Sequence, residues 1–120
     1  MGEATIAPPG NFKFYVATKP VDFCKGMDGL AAIDLNEFDL DPFSGAVFTF
    51  RSKLADRLKR IVWDGTGLIM IYKRIEGKGF EWPRMTDGVI DLTRAQFEAL
   101  FEGLDWKRVT HRGTRRSVAA

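Results

Sequence analysis

Residues 41–74 carry three strand-like runs separated by turn signals, and this pattern restricts the chain to a fold built around a sheet. In the first run, Phe48 and Phe50 alternate with polar neighbours, which is typical of a half-buried strand. The second run, Lys59–Asp64, contains β-branched residues, and the third, Leu68–Tyr72, is apolar on both faces. Because the connection between these two runs is short and rich in glycine, it predicts a hairpin.

Further strands are predicted on both sides of this segment. Phe12–Ala17 is aromatic and β-branched, and it follows a short leader, residues 1–11, that is broken by Pro-Pro-Gly. The third run is expected to continue to Glu76, after which Gly-Lys-Gly predicts a turn into another strand at Phe80–Trp82. Val89–Leu92 is a short alternating piece. The sequence therefore predicts a sheet of four or five strands.

Two helices are predicted, one before and one after the strand-rich segment. The first spans about Gly26–Glu37 and could be capped by Asp22 or Asp28. The second follows Thr93, which has the spacing of a capping box with the glutamine three residues on, and Gly103 suits the position after its last turn. The expected buried stripes are Met27, Leu30, Ala31, Leu35 and Phe38 in the first helix and Phe97, Leu100 and Phe101 in the second, with Leu104 as a further candidate.

The order of these elements predicts an α+β fold with a mainly antiparallel, four- to five-stranded sheet, one early helix and one C-terminal helix. A chain of 120 residues, 45% of them hydrophobic, is large enough for one core. We therefore expect a single domain at residues 12–106, a loose leader at 1–11, and a basic, flexible tail at 107–120.

The scarcity of cysteine and histidine excludes several kinds of site. Cys24 is the only cysteine, so an intramolecular disulfide and a cysteine-based zinc site are excluded. The only histidine, His111, lies in the polar tail, which argues against a transition-metal centre and a serine–histidine nucleophile. No apolar run approaches the ~20 residues of a membrane span, and no signal-peptide pattern is present. A cytoplasmic, bacterial-type protein without a cofactor is expected.

Carboxylates offer the remaining route to catalysis. A pair for acid–base or metal chemistry, such as that of a nuclease, could be drawn from Asp28, Asp41, Asp56 and Asp64. Asp41 and Asp64, however, occupy turn positions where aspartate is favoured for local hydrogen bonds. The Gly-Thr-Gly after Asp64 lies between two strands rather than between a strand and a helix, so a dinucleotide-binding turn is rejected. We therefore expect no catalytic residues.

Basic residues are concentrated on or beside the predicted strands. They could contact DNA phosphates, which would give a sequence-independent, salt-dependent affinity. They could instead solubilise a sheet edge and discourage edge pairing. Phe80 and Trp82 could stack on bases if exposed, although burial in the core is the favoured interpretation. The candidate DNA-binding residues are Arg51, Lys53, Arg57, Lys59, Arg60, Lys73 and Arg74.

Five segments, taken together, resemble one protein family. They are KGMDGL (25–30), DPFSGAVFTFR (41–51), ADRLKRIVWDGTGL (55–68), YKRIEGKGFEWP (72–83) and LTRAQFEALFEGLDW (92–106). In this order they are similar to the small accessory protein, TnpB-type, of the insertion-sequence-66 family of bacterial transposable elements. The RNA-guided nuclease that shares the name TnpB is a much larger, unrelated protein, and its carboxylate motifs are not matched here.

The resemblance implies a non-enzymatic protein that is encoded beside a separate transposase and assists transposition. The implied partners are DNA, hypothesised to be the ends of the element, and the transposase, with no membrane involved. Two departures from the family pattern stand out: Cys24 replaces a common arginine, and Ser52–Ala55 replaces a loop richer in glycine and arginine. A rival hypothesis is an adaptor that docks the transposase without touching DNA, through an apolar patch around Phe80 and Trp82.

Overall fold

A computed structural model of the chain describes residues 13–85 and 88–109. Within these residues it has two α-helices and a five-stranded sheet, in agreement with the predicted α+β class. None of the described helices is long and apolar enough to cross a membrane. The predicted leader, and the predicted tail beyond residue 109, lie outside the described residues. The elements are β1 (Phe14–Ala17), α1 (Met27–Asn36), β2 (Val47–Arg51), β3 (Arg57–Trp63), β4 (Leu68–Arg74), β5 (Val89–Leu92), α2 (Arg94–Phe101) and a short 3₁₀ helix (Trp106–Arg108).

The five strands lie side by side in the order β4-β3-β2-β1-β5. β1 and β2 are parallel, since α1 carries the chain from the end of β1 back to the start of β2. The other three neighbouring pairs are antiparallel, so the sheet is mainly antiparallel as predicted. One edge of the sheet is the four-residue β5, and the other is the seven-residue β4.

Alternation along the strands divides the core between the two faces of the sheet. Phe48 and Phe50 pack with α1 on one face, which we call the α1 face. Phe14 and Leu58 pack with α2 and the 3₁₀ helix on the other, the α2 face. Because successive side chains of a strand point to opposite faces, each basic residue in a strand belongs to one face or the other.

Helix α1 agrees with its predicted span but not with its predicted cap or the whole of its predicted stripe. Met27 and Leu35 are 40% and 50% exposed, so their predicted burial is wrong. Gly26 is the N-cap and makes no side-chain hydrogen bond, while the Asp22 carboxylate accepts the N–H of Cys24 instead. Contact with β3 and β4 rotates the buried stripe away from the largest apolar residues. The buried residues are Leu30, Ala31, Ile33 and Asp34.

Helix α2 is confirmed, including the signals at both of its ends. The Thr93 hydroxyl accepts the N–H of Gln96 at 3.1 Å, and the Gln96 side chain accepts the N–H of Thr93 at 3.0 Å, which completes the capping box. Gly103 has a φ of 81°, and its N–H and that of the next residue bond back to carbonyls of the last turn. Phe97 and Leu100 are buried as predicted, whereas the further candidate, Leu104, is 59% exposed because it lies beyond the end of the helix.

The predicted strand at Phe80–Trp82 is wrong. The Phe80 N–H and the Trp82 indole N–H both donate to the carbonyl of Ala55, each at 3.0 Å. This segment therefore folds over the loop between β2 and β3 rather than joining the sheet. The strand that completes the sheet is β5, which pairs with β1.

Candidate nucleic-acid interface

An open groove with a volume of about 510 Å³ lies at the end of the sheet where β1, β2 and β4 finish and β3 begins. One wall is the segment after β1, residues 20–23, and another is the loop after β2, residues 52–54. Arg57 and Tyr72 contribute the side chains of β3 and β4. The volume is in the range of small-molecule sites, so a nucleotide-sized group could enter.

Both walls of the groove are held in place by hydrogen bonds. The Val21 N–H donates to the Arg51 carbonyl at 2.8 Å, which extends the pairing of β1 and β2 beyond the ends of both strands. The Ser52 hydroxyl accepts the N–H of Leu54 at 3.0 Å and donates to its carbonyl at 2.9 Å, which closes the second loop. The groove is therefore preformed rather than dependent on long mobile side chains.

Lys59 supports the groove from below. It is only 5% exposed, and its ammonium donates to the carbonyls of Phe23 at 2.8 Å and Lys25 at 3.1 Å. The same nitrogen lies 4.9 Å from the ring centroid of Phe23 and 5.5 Å from that of Tyr72, within the range of cation–π attraction. This predicted DNA-binding residue therefore ties the segment after β1 to the sheet.

Two of the predicted DNA-binding residues, Lys53 and Arg57, line the groove, and a third, Arg74, lies beside it on β4. Lys53 is exposed in the loop after β2, and Arg57 and Arg74 are directly opposite each other on β3 and β4. Arg57 is half-buried, with its Nε 3.4 Å from the carboxylate of Asp56. Asp22 places a carboxylate in the groove, and its pKa is lowered first by the N–H of Cys24 and further by the charges of Lys25 and Lys53, so it offsets part of the positive charge there.

The remaining three predicted residues, Arg51, Arg60 and Lys73, lie on the α2 face. The Arg51 guanidinium lies 5.3 Å from the ring centroid of Trp82, and burial lowers its pKa. Burial likewise lowers the pKa of Arg60, which lies 4.8 Å from the Phe101 ring centroid. The Lys73 ammonium donates to the Phe101 carbonyl at 2.6 Å. The structure thus brings together only part of the predicted basic cluster.

Two aromatic residues of the groove were missed by reasoning from the sequence. Tyr72 is 52% exposed, and its ring meets that of Phe23 edge-on, with 5.8 Å between centroids. The alternation of the third run, which places Tyr72 and Arg74 on one face, was the available signal. Phe80, by contrast, is 4% exposed and Trp82 is half-buried, so Phe80 does not contribute to the apolar patch predicted there for an adaptor.

Two of the four carboxylates considered for catalysis, Asp41 and Asp64, have local structural roles. The Asp41 carboxylate accepts the N–H of Phe43 at 2.9 Å. The Asp64 carboxylate accepts the N–H groups of Thr66 and Gly67, each at 2.9 Å, and these bonds lower the pKa of Asp64. Both residues are therefore turn-forming, as the favoured interpretation of the sequence holds.

The fold and the groove define a small α+β protein with an open groove lined by basic and aromatic side chains. Within residues 13–85 and 88–109, no group of three or more His, Cys, Asp or Glu side chains could hold a metal ion. The family model described as IS66 Orf2 like protein, TnpB_IS66, matches residues 12–111. The chain belongs to this family, which confirms the resemblance found in the sequence and makes it an accessory protein associated with transposition.

Two relatives from Sinorhizobium fredii are similar over nearly their whole length. The uncharacterized protein y4jC is 40% identical over 111 residues, which cover 92% of this chain and 95% of the relative. The uncharacterized protein y4hO is 33% identical over 103 residues, which cover 85% of this chain and 90% of the relative. No solved structure matches the chain.

Proposed function

We propose that the protein binds DNA through the groove and its basic rim, and that it assists a separate transposase without catalysing the reaction itself. The observation that carries this proposal is a groove lined by Lys53, Arg57 and the exposed aromatic side chain of Tyr72, with Arg74 directly opposite Arg57 on the neighbouring strand. Membership of a transposition-associated family supports DNA as the ligand.

The side chains in and around the groove have different roles in binding DNA. Lys53 and Arg74 contact phosphates, and each contributes affinity that falls as salt rises. Tyr72 offers a ring face to a base that is unpaired or displaced, a contact that tolerates any sequence. Lys59 acts indirectly, because its ammonium is already bound to two backbone carbonyls and fixes the wall of the groove.

The proposal is tested by measuring the binding of labelled DNA across a salt series. We compare the wild type with a double variant, Lys53→Ala with Arg74→Ala, and with a control, Arg94→Ala with Arg108→Ala, that removes two exposed cationic side chains on the α2 face. The first variant is expected to reduce the slope of log K against log salt by about 2, since each phosphate contact contributes about 0.9. The control is expected to keep the wild-type slope.

Equal losses in the two double variants would show that charge acts without a defined site, and would contradict the groove as the interface. No binding of wild-type protein at low salt would overturn direct DNA binding. The adaptor function would then be the better hypothesis, and binding to purified transposase would be measured next.

A further inference from the structure

Strand β4 is a long, apolar and open edge of the sheet. Its seven residues, Leu68–Arg74, carry no charge before Lys73 and no proline. Among the described strands, only β3 pairs with it. Ile69 is 41% exposed. An edge of this length and composition would cause aggregation unless a partner covers it, whereas the opposite edge, β5, is kept short.

The backbone groups that point outward from β4 follow from its register with β3. The Asp64 N–H donates to the Gly67 carbonyl and the Ile75 N–H to the Asp56 carbonyl, each at 3.0 Å. Hydrogen-bonded and non-bonded pairs alternate in an antiparallel ladder, so Ile69, Ile71 and Lys73 bond to β3. The N–H and carbonyl groups of the alternate residues therefore face away from the sheet. These are Leu68, Met70, Tyr72 and Arg74.

We propose that β4 pairs antiparallel with β4 of a second copy of this chain, around a twofold axis at Ile71. In this register Met70 of each copy lies opposite Tyr72 of the other, and Leu68 lies opposite Arg74. All four outward-facing residues then exchange both of their backbone hydrogen bonds across the interface. The two sheets become one sheet of ten strands, twice the five of each chain. The interface is isologous, as twofold symmetry requires.

The distribution of charge along β4 favours antiparallel pairing of two copies over parallel pairing. The antiparallel register places Lys73 opposite Ile69 and Arg74 opposite Leu68, so no like charges meet. The two copies of Arg74 lie about 20 Å apart, because six residues separate positions 68 and 74 at about 3.3 Å each. The basic end of each strand instead approaches the hairpin of the partner, where Asp64 is an exposed carboxylate. In a parallel pair, Lys73 and Arg74 of one copy would instead lie beside Lys73 and Arg74 of the other.

The twofold register makes a specific cross-linking test possible. Ile71 of one copy would face Ile71 of the other in a non-hydrogen-bonded pair, with about 4.5 Å between their Cα atoms. This distance lies at the short end of the Cα–Cα range of disulfides. In a Cys24→Ser background, which removes the exposed native cysteine, Ile71→Cys is expected to form a covalent dimer on mild oxidation. The matched control is Ile69→Cys, which would face Lys73 of the second copy and is expected to remain largely monomeric.

A measurement of mass in solution completes the test. Sedimentation equilibrium of the wild type is expected to give a dimer. Ile71→Lys is expected to give a monomer with unchanged circular dichroism, because it sets two ammonium groups opposite each other at the axis. The proposal would be overturned if the wild type stayed monomeric at all concentrations up to about 100 μM, because even an interface of modest affinity associates at that concentration. Equal cross-linking of the two cysteine variants, or a dimer unaffected by Ile71→Lys, would do the same.

Discussion

The carboxyl group of Asp34, on the buried side of α1, is inaccessible to solvent, and neither of its oxygens has a hydrogen-bond partner among the described residues. Loss of hydration raises its pKa to about 8, so the group is mostly neutral at pH 7. In the unfolded chain the same group has the ordinary aspartate pKa of 3.8. Unfolding between these two pH values therefore releases a proton, and the free energy of unfolding falls as pH rises from about 4 to about 8.

Replacing Asp34 with Asn is expected to remove this pH dependence. For the wild type, the free energy of unfolding should fall by roughly 3–4 kcal/mol between pH 5 and pH 8, since one pKa unit corresponds to about 1.4 kcal/mol. Asp34→Asn cannot ionise, so its profile over the same range should be nearly flat. Urea unfolding at several pH values measures both slopes. Parallel profiles for the two proteins would show that the carboxyl group does not titrate between the two states as inferred.

The basic residues show how much of the site could be predicted at the scale of single residues. Their identity and concentration were visible in the sequence, and strand alternation alone would have placed Lys59 and Arg60 on opposite faces. The sequence could not reveal that carbonyls of the segment after β1 bind the Lys59 ammonium. It also gave no sign that the Phe101 carbonyl accepts from Lys73, because both contacts join residues at least 28 positions apart.

At the scale of elements, the position of helix α2 and both of its end signals were predicted because these signals are local. Thr93→Ala is expected to lower the free energy of unfolding by about 1 kcal/mol, since it removes the acceptor for the Gln96 N–H. Thr93→Ser keeps a hydroxyl at the same position and is expected to stay close to the wild type. Urea midpoints of the three proteins compare these costs. An equal loss in the alanine and serine variants would instead point to packing of the threonine methyl group.

The elements that were predicted wrongly depend on distant contacts. Phe80–Trp82 has the composition of a strand, but both ends of the segment bond to the Ala55 carbonyl, 25 residues away from Phe80. The buried stripe of α1 is likewise chosen by its contact with β3 and β4. Composition and periodicity describe an isolated element, whereas these outcomes depend on which surface the rest of the chain presents.

At the scale of the whole molecule, the proposed dimer would place both DNA-binding grooves on one side. Residues that face each other in an antiparallel pair lie on the same face of the sheet, so the twofold axis at Ile71 is perpendicular to the sheet. The α1 faces of the two copies therefore point to the same side of the ten-stranded sheet. Tyr72 and Arg74 of each copy lie on that face, close to the axis, and one DNA molecule could contact both grooves.

This arrangement predicts that dimerisation changes DNA affinity only when the DNA is long enough to reach both grooves. On a long duplex, the monomeric variant Ile71→Lys is expected to show about half the salt slope of the wild type, because it contacts half as many phosphates. Its affinity is expected to fall by more than tenfold, since the second groove no longer binds at high effective concentration. On a short oligonucleotide that fills one groove, the two proteins should have similar affinity and similar slopes.

The two kinds of DNA separate the proposals from each other. Loss of binding to both DNAs in Ile71→Lys would mean that the substitution damages the groove itself. Circular dichroism and thermal unfolding would then show whether the fold is disturbed. Identical binding of both proteins to the long duplex, with Ile71→Lys shown to be monomeric, would mean that each copy acts alone on DNA. A difference confined to the long duplex is the result expected if one DNA molecule spans the twofold axis, because only then does the second groove add phosphate contacts to the first.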